Sequence, residues 1–285
     1  MLLTLHANSL RSMLAGPKGP QHLALTELPS FTRQTLGLNG LMIPTTMLRG
    51  LSREELSRLR EQSDRAGCAL LSIVEDAALP LGAVSEAEAL AGLERLARVL
   101  KAGAALGCSS VVIKVASKAG DDSMNRAVER LKSASDLAER LEVSIMLHSH
   151  TGLTQAPEGL TALIKRVGGF RVGACPDFAS AAAAADPGLF MKRLTPYASA
   201  AIAVTQSFVT NQEKSTEPAG HEIDPDAGVE HSPYQIEPLL KSMMAVGYDG
   251  SLAIDYRGEG DATLGVLRSR VLIERCAASV HREEE

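Results

Sequence analysis

Short apolar runs recur eight times along the chain, and this repeat limits the fold more than any other feature of the sequence. Each run is followed by a polar loop and then by an amphipathic stretch. Short apolar runs that alternate with helices are typical of buried parallel strands. The runs begin near Leu2, Asn39, Ala69, Ser110, Val143, Phe170, Ser199 and Ser251.

Helix start signals lie between these runs. Ser52 precedes a glutamate by three residues, which is the spacing of a capping box. Asp186-Pro187 and Ser232-Pro233 each place a capping residue before a proline, so they predict two further helix starts. Eight strand–helix units in a chain of 285 residues predict a single-domain (β/α)8 TIM barrel over residues 1–285. An open doubly wound sheet is disfavoured because the first loop has no GxGxxG motif.

Composition limits the class of partner. The net charge of −5 and the pI near 5.9 argue against a nucleic-acid-binding surface, which is usually basic. No apolar run approaches the ~18 residues that a membrane span needs. The chain starts without the pattern of a signal peptide, and its four cysteines have no CxxC spacing, so we expect reduced thiols in a cytoplasmic protein. Whether the protein forms a homo-oligomer stays open.

The widest gap between apolar runs holds a polar segment with prolines and glycines at residues 210–231. Long loops after barrel strands lie at the catalytic face. We therefore expect this segment to be a long loop after the seventh strand that folds over the barrel mouth as a lid.

Polar residues that end the apolar runs are the candidates for chemistry, because barrel active sites lie at the carboxyl ends of the strands. His148 and His150 are two residues apart and share a face, Asp177 follows the sixth strand, and Asp255 and Arg257 share a face. Imidazole and carboxylate together suit Zn, Mn, Fe or Co better than Ca. The alternative is a set of polar groups at a wet barrel mouth, bound to each other and to water. His6 on the first strand is interpreted as a buried, hydrogen-bonded histidine.

Several segments resemble the sugar phosphate isomerase/epimerase family, the xylose-isomerase-like TIM barrels. The resemblance is closest in the GYDG and GEGD motifs near the C-terminus, and the N-terminal third matches only in pattern. The segments are His148-Ser-His-Thr-Gly152 with Pro157, VGACPDFAS at 172–180, LTPYASAAIAVTQS at 194–207, GYDG at 247–250 and LAIDYRGEGD at 252–261.

The resemblance implies a metal site with a changed ligand set. Family members hold one divalent ion with Glu, Asp, His and Glu on strands five to eight. The matching positions here are His148, Asp177 and Asp255, whereas the strand-seven histidine falls on Ile202 or Val204. We expect Mn, Zn, Mg or Co to bind more weakly than in a typical family member, or no metal at all.

The missing ligand leaves one position of that site to be filled. His150, or His221 or His231 in the long loop, is a candidate for the fourth ligand.

The resemblance also implies metal-assisted proton transfer next to a carbonyl of a small polyhydroxy compound, as in an isomerase or epimerase. The catalytic set would be His148, Asp177 and Asp255. The residues expected to bind a carbohydrate-like substrate are Lys114, His150, Gln206 and Arg257. Arg257 is a candidate clamp for a phosphate or carboxylate, or a simple partner of Asp255.

Two other functions stay open at this point. The chain is either a barrel that keeps the family fold without metal-dependent isomerase activity, and binds a ligand or partner, or a lyase or hydrolase that uses the same mouth. The DNA-repair nuclease branch of the family is least favoured, because the chain is acidic and has few histidines for a trinuclear site.

Overall fold

A computed structural model describes residues 1–15, 22–209 and 229–283. Eight of its strands form one all-parallel sheet in the order β6-β5-β4-β3-β2-β1-β10-β7, and each lies within two residues of an apolar run identified in the sequence. The strands are β1 (Leu2–His6), β2 (Gly40–Pro44), β3 (Ala69–Leu79), β4 (Ser110–Val115), β5 (Ser144–His148), β6 (Val172–Ala174), β7 (Ala200–Thr205), β8 (Phe208–Val209), β9 (Glu230–His231) and β10 (Ser251–Tyr256).

The sheet closes between its two outer strands, β6 and β7. Isolated parallel bridges join Ala174 to Ala198 and Asp177 to Ile202, and the Ile202 amide donates to the Pro176 carbonyl at 2.9 Å. Closure removes the exposed sheet edges. The predicted single-domain (β/α)8 barrel is thus confirmed.

Helices surround the barrel. They are α1 (Arg11–Ala15), α2 (Leu28–Gln34), α3 (Arg53–Ala66), α4 (Glu86–Leu106), α5 (Asp121–Arg140), α6 (Pro157–Val167), α7 (Phe178–Ala182), α8 (Pro187–Leu194), α9 (Glu237–Met244) and α10 (Ala262–Glu283). In the described part of the chain, none of these helices is both long and apolar enough to cross a membrane.

The predicted helix starts are confirmed in two cases and wrong in one. Ser52 and Glu55 form the full capping box of α3, and the Asp186 carboxylate caps α8. Ser232 starts no helix; it directly follows β9, and its amide donates to the Ser207 carbonyl beside the β8–β9 pair. The helix α9 begins five residues later, at Glu237.

The strands bury side chains on both faces. One apolar cluster fills the barrel interior, and a larger one lies between the strands and the helices. The interior cluster consists of Met42, Val74, Val112, Met146, Cys175, Ala200, Ile202, Val204 and Ala253. Side chains one alternation further along the strands, such as Lys114, His148 and Asp255, therefore project at the carboxyl-terminal mouth.

The predicted lid lies almost entirely outside the described residues, as does His221. Only its end is described: Glu230 and His231 form β9, which pairs antiparallel with β8. Lid closure stays a prediction.

Candidate functional site

A histidine and an aspartate meet at the mouth, beyond β5 and β6. His148 Nε2 lies 3.0 Å from Asp177 Oδ2, and the Asp177 side chain is almost completely buried. The second polar atom of each side chain is held by a backbone group. His148 Nδ1 contacts the Ser149 carbonyl at 2.8 Å, and Asp177 Oδ1 accepts from the Ser180 amide at 2.8 Å as the N-cap of α7. The pair is therefore held in place from both sides.

The two facing atoms of the pair are both hydrogen-bond acceptors when His148 is neutral. Because Nδ1 faces a carbonyl and must carry a proton, a neutral His148 would present its Nε2 lone pair to Asp177. No well-aligned hydrogen bond reaches Asp177 Oδ2 in the described part of the protein. Burial alone would raise the pKa of Asp177, but the charge of His148 and the hydrogen bonds to the carboxylate outweigh it and lower that pKa to about 2.

A second carboxylate, Asp255 at the end of β10, is bound to an arginine. Arg257 Nε and Nη2 both donate to Asp255 Oδ2, at 2.8 and 2.6 Å. Asp255 is completely buried, whereas about half of the Arg257 side chain (52%) is exposed. Asp255 is therefore paired with a guanidinium.

The other oxygen of Asp255 faces a histidine on β1. Oδ1 lies 3.6 Å from His6 Nδ1, but that nitrogen accepts from the Asn8 amide and has no proton to give. His6 is buried and hydrogen-bonded, as predicted, and burial lowers its pKa.

These contacts bear on the implied metal site. In residues 1–15, 22–209 and 229–283, no three or more His, Cys, Asp or Glu side chains are grouped so that they could hold a metal ion. Asp255 is held by Arg257, and the two possible strand-seven positions, Ile202 and Val204, belong to the apolar interior. As arranged, the described side chains do not fit a three-ligand metal centre. Metal binding by His148, Asp177 and Asp255 stays a prediction.

The candidate fourth ligand His231 is used elsewhere. Its Nε2 accepts from the Gln206 amide at 3.0 Å, and its Nδ1 donates to the Tyr234 carbonyl at 2.8 Å. Both ring nitrogens are therefore engaged in positioning the β8–β9 pair. The Gln206 side chain is exposed, and its backbone rather than its amide group makes this contact.

The remaining predicted residues lie beside the His148–Asp177 pair. Lys114 is the direct register partner of His148 on the neighbouring strand, and it makes no ion pair with another described residue. His150 lies in the loop after β5, where burial and then the charges of Lys114 and His148 lower its pKa. The mouth thus has an imidazole–carboxylate pair with the Lys114 ammonium on one side and a carboxylate–guanidinium pair on the other.

Tyr234 is a residue of the mouth that the sequence analysis missed. Its hydroxyl donates to the Val204 carbonyl, and burial raises its pKa. The charges of Asp177 and Asp255 raise that pKa further while Arg257 lowers it, so the tyrosine lies within the field of both charged pairs. No sequence motif marks Tyr234.

A sequence model of the xylose isomerase-like TIM barrel family matches residues 34–275. The chain belongs to this family. No curated protein matches the sequence significantly. This match confirms the family that the GYDG and GEGD segments suggested from the sequence.

Solved structures of sugar epimerases share the fold at low identity. A structure of L-ribulose 3-epimerase has 15% identity and a TM-score of 0.76, and the match covers 99% of this chain and 96% of that one. A D-tagatose 3-epimerase-like protein has 15% identity and a TM-score of 0.70 over all of both chains. A 3-keto-D-glucoside 4-epimerase from E. coli has 14% identity and a TM-score of 0.69 over 97% of this chain and 100% of that one. At these identities the similarity establishes the barrel fold.

Proposed function

We propose that the protein is an isomerase- or epimerase-like enzyme that transfers a proton next to a carbonyl of a small polyhydroxy compound. The observation that carries the proposal is the 3.0 Å contact between His148 Nε2 and Asp177 Oδ2 at the mouth of the barrel. With Nδ1 engaged by Ser149, Nε2 is the nitrogen that takes the proton, and it turns from Asp177 towards the substrate to do so. His148 takes the proton as general base, and the ionised Asp177 stabilises the imidazolium that forms.

Removing a proton beside a carbonyl places negative charge on the carbonyl oxygen, which fixed positive charge stabilises. Lys114 is beside His148 and has no ion-pair partner among the described residues. Arg257 uses Nε and Nη2 on Asp255, which leaves its other N–H groups for substrate oxygens. We propose that Lys114 binds the developing oxyanion and that Arg257 binds a hydroxyl, phosphate or carboxylate of the substrate.

The proposed proton transfer uses no metal, because the described side chains do not fit the three-ligand site that the family implies. The protein then depends on Lys114 and Arg257 for positive charge. Activity should survive a chelator if this holds, and it should require Mn²⁺, Zn²⁺, Mg²⁺ or Co²⁺ if the metal site predicted from the sequence is correct.

A carbohydrate-like substrate is proposed because structures named as sugar epimerases share the whole barrel. We also propose a cytoplasmic location, which is supported by four buried cysteines that form no disulfide.

The test is isotope exchange. The protein is incubated in D₂O with a panel of ketoses and ketose phosphates, with EDTA or with added Mn²⁺, and deuterium at the carbon next to the carbonyl is followed by NMR. Exchange occurs even where the overall equilibrium gives little net product. We expect at least one compound to gain deuterium at a rate proportional to protein concentration.

A barrel without isomerase chemistry is the second candidate. It is favoured by one observation, the Asp255–Arg257 pair that occupies a position where the family has a metal ligand. Binding of a panel sugar with no deuterium exchange under any metal condition would support this candidate and defeat the first.

A further inference from the structure

A cavity of about 760 Å³ lies beside the His148–Asp177 pair, outside the barrel axis. One wall is the loop between β5 and α6, and the other is formed by α7, the turn after it and the start of α8. It is lined by Ser149, His150, Thr151, Gly152, Gln155, Ala156, Pro157, Glu158, Ser180, Ala183, Ala184, Ala185, Asp186, Leu189 and Phe190.

The cavity adjoins the proposed catalytic pair through two residues that contact it. The Ser149 carbonyl that faces His148 Nδ1 and the Ser180 amide that binds Asp177 Oδ1 both belong to residues in its wall. The cavity is therefore the neighbouring space for a substituent of a molecule whose reacting carbon lies at His148.

The walls are suited to a neutral group. None of the described residues around the cavity is Lys or Arg, so there is no charged clamp for a phosphate there. The acidic side chains already have partners: Glu158 pairs with Arg193 at 2.7 Å, and Asp186 caps α8 through the Leu189 amide at 2.9 Å. An anionic substituent would meet these carboxylates, and the Arg193 guanidinium near them is already engaged by Glu158.

The wall formed by α7, the turn after it and α8 is mostly apolar. Three consecutive alanines, Ala183 to Ala185, contribute only methyl groups, and Leu189 and Phe190 continue the same wall. The volume lies in the range of pockets for drug-sized ligands, ~300–1,000 Å³. A free monosaccharide at the mouth would leave this space empty.

We infer that the substrate is a sugar bearing a neutral, mostly apolar substituent, such as an aryl or alkyl glycoside of a keto sugar, which keeps a free carbonyl, and that the cavity between α6 and α8 binds that substituent. The inference rests on the proposed function only in placing the reacting carbon at His148. Apolar surface buried in the cavity supplies affinity that an unsubstituted or phosphorylated sugar cannot gain there.

The test uses two probes that differ only in the substituent, phenyl β-D-glucoside and methyl β-D-glucoside. Neither has a carbonyl, so binding is measured independently of proton transfer, and failure of this inference is distinguishable from failure of the proposed function. Calorimetry or saturation-transfer NMR gives the two Kd values. We expect phenyl glucoside to bind at least tenfold more tightly than methyl glucoside.

Ala183→Phe fills the cavity from an exposed position at the end of α7, and Ala91→Phe places the same ring on an exposed site of α4 as the control. The first variant should weaken phenyl glucoside binding at least tenfold, and the second should leave it unchanged. Ala185→Phe should repeat the first result if Ala183→Phe folds poorly. Equal Kd values for the two probes, no phenyl glucoside binding at millimolar concentration, or an unchanged Kd in the folded cavity variants would overturn the inference.

Discussion

At the scale of single residues, the buried charge of Asp255 makes the barrel mouth depend on Arg257. Both hydrogen bonds to Asp255 Oδ2 come from this arginine, and Asp255 has no exposed surface. Removing one partner of a buried ion pair leaves an uncompensated charge, which costs about 3–5 kcal/mol when both partners are buried. Because Arg257 is half exposed, we expect Arg257→Met to lower the free energy of unfolding by about 2 kcal/mol.

Urea unfolding of a double-mutant cycle checks this value. Asp255→Asn with Arg257→Met removes both charges, so the double variant should be more stable than Arg257→Met alone. Equal stability of the two variants would show that the unpaired Asp255 charge does not cause the loss of stability in Arg257→Met.

Strand parity was sufficient to predict that His148 and Asp177 lie at one mouth. It could not predict that Asp255 is paired with Arg257 rather than turned towards them. Asp255 and Arg257 lie on the same face in either case, and only the conformation of a long, flexible side chain decides between an ion pair and a ligand clamp.

At the scale of elements, the loop after β5 contains a glycine that has no room for a side chain. Gly152 has φ +92°, and an added Cβ would lie 1.9 Å from the carbonyl oxygen of Ser117, the residue with which Gly152 forms a parallel bridge. Gly168 after α6 also has a positive φ, +73°, but open space around it. Gly168→Ala should cost about 1–3 kcal/mol from backbone strain alone, because its ψ of −175° lies in a region almost restricted to glycine.

Gly152→Ala should cost about 2 kcal/mol more than Gly168→Ala, because the loop must move away from Ser117 as well. Thermal unfolding of both variants measures the difference. Similar melting temperatures would contradict the crowding at Gly152.

The β8–β9 pair should make stability depend on pH through His231. Burial lowers the pKa of this histidine below its ordinary value near 6.5, and its Nε2 must stay unprotonated to accept from the Gln206 amide. As pH falls below about 6.5, the unfolded chain binds a proton that the folded chain does not, so stability decreases. His231→Gln should lose about 1 kcal/mol at pH 8 and show a weaker decrease on acidification.

Urea unfolding at pH 8 and at pH 5.5 gives both quantities. Some dependence will remain in the variant, since His6 is also buried with a lowered pKa. An identical decrease in the variant and the parent protein would exclude a contribution from His231.

At the scale of the whole molecule, the barrel should open first at its seam. β7 and β10 share six register pairs, whereas only two isolated bridges join the β6 side to β7. Sub-global opening follows the weakest contacts. We expect amides in residues 172–177 to exchange with D₂O at least tenfold faster than those in residues 251–256, as measured by mass spectrometry of peptides. Equal protection would indicate a barrel that opens only as a unit.

Most of the architecture was predictable because apolar runs buried on both faces require a parallel sheet covered by helices, and eight strand–helix units fit a closed barrel better than an open sheet. The start of α9 was not predictable from the sequence. Ser232 carries a local capping signal, but it directly follows β9, in a hairpin that forms only in the folded chain, and its amide donates to the Ser207 carbonyl. The cavity beside His148 was also beyond sequence reasoning, since it depends on how the loops after β5 and β6 diverge.

Asp177→Asn isolates the part that the Asp177 carboxylate plays in proton transfer by His148. Asparagine still accepts from the Ser180 amide and keeps the cap of α7, but it cannot stabilise an imidazolium. Asp261→Asn is the matched control, because Asp261 is exposed and caps α10 through the Leu264 amide at 3.1 Å. With a substrate found by deuterium exchange, we predict a loss of at least ~100-fold in the exchange rate for Asp177→Asn and less than about twofold for Asp261→Asn. Exchange by Asp177→Asn at the rate of the parent protein would contradict the account.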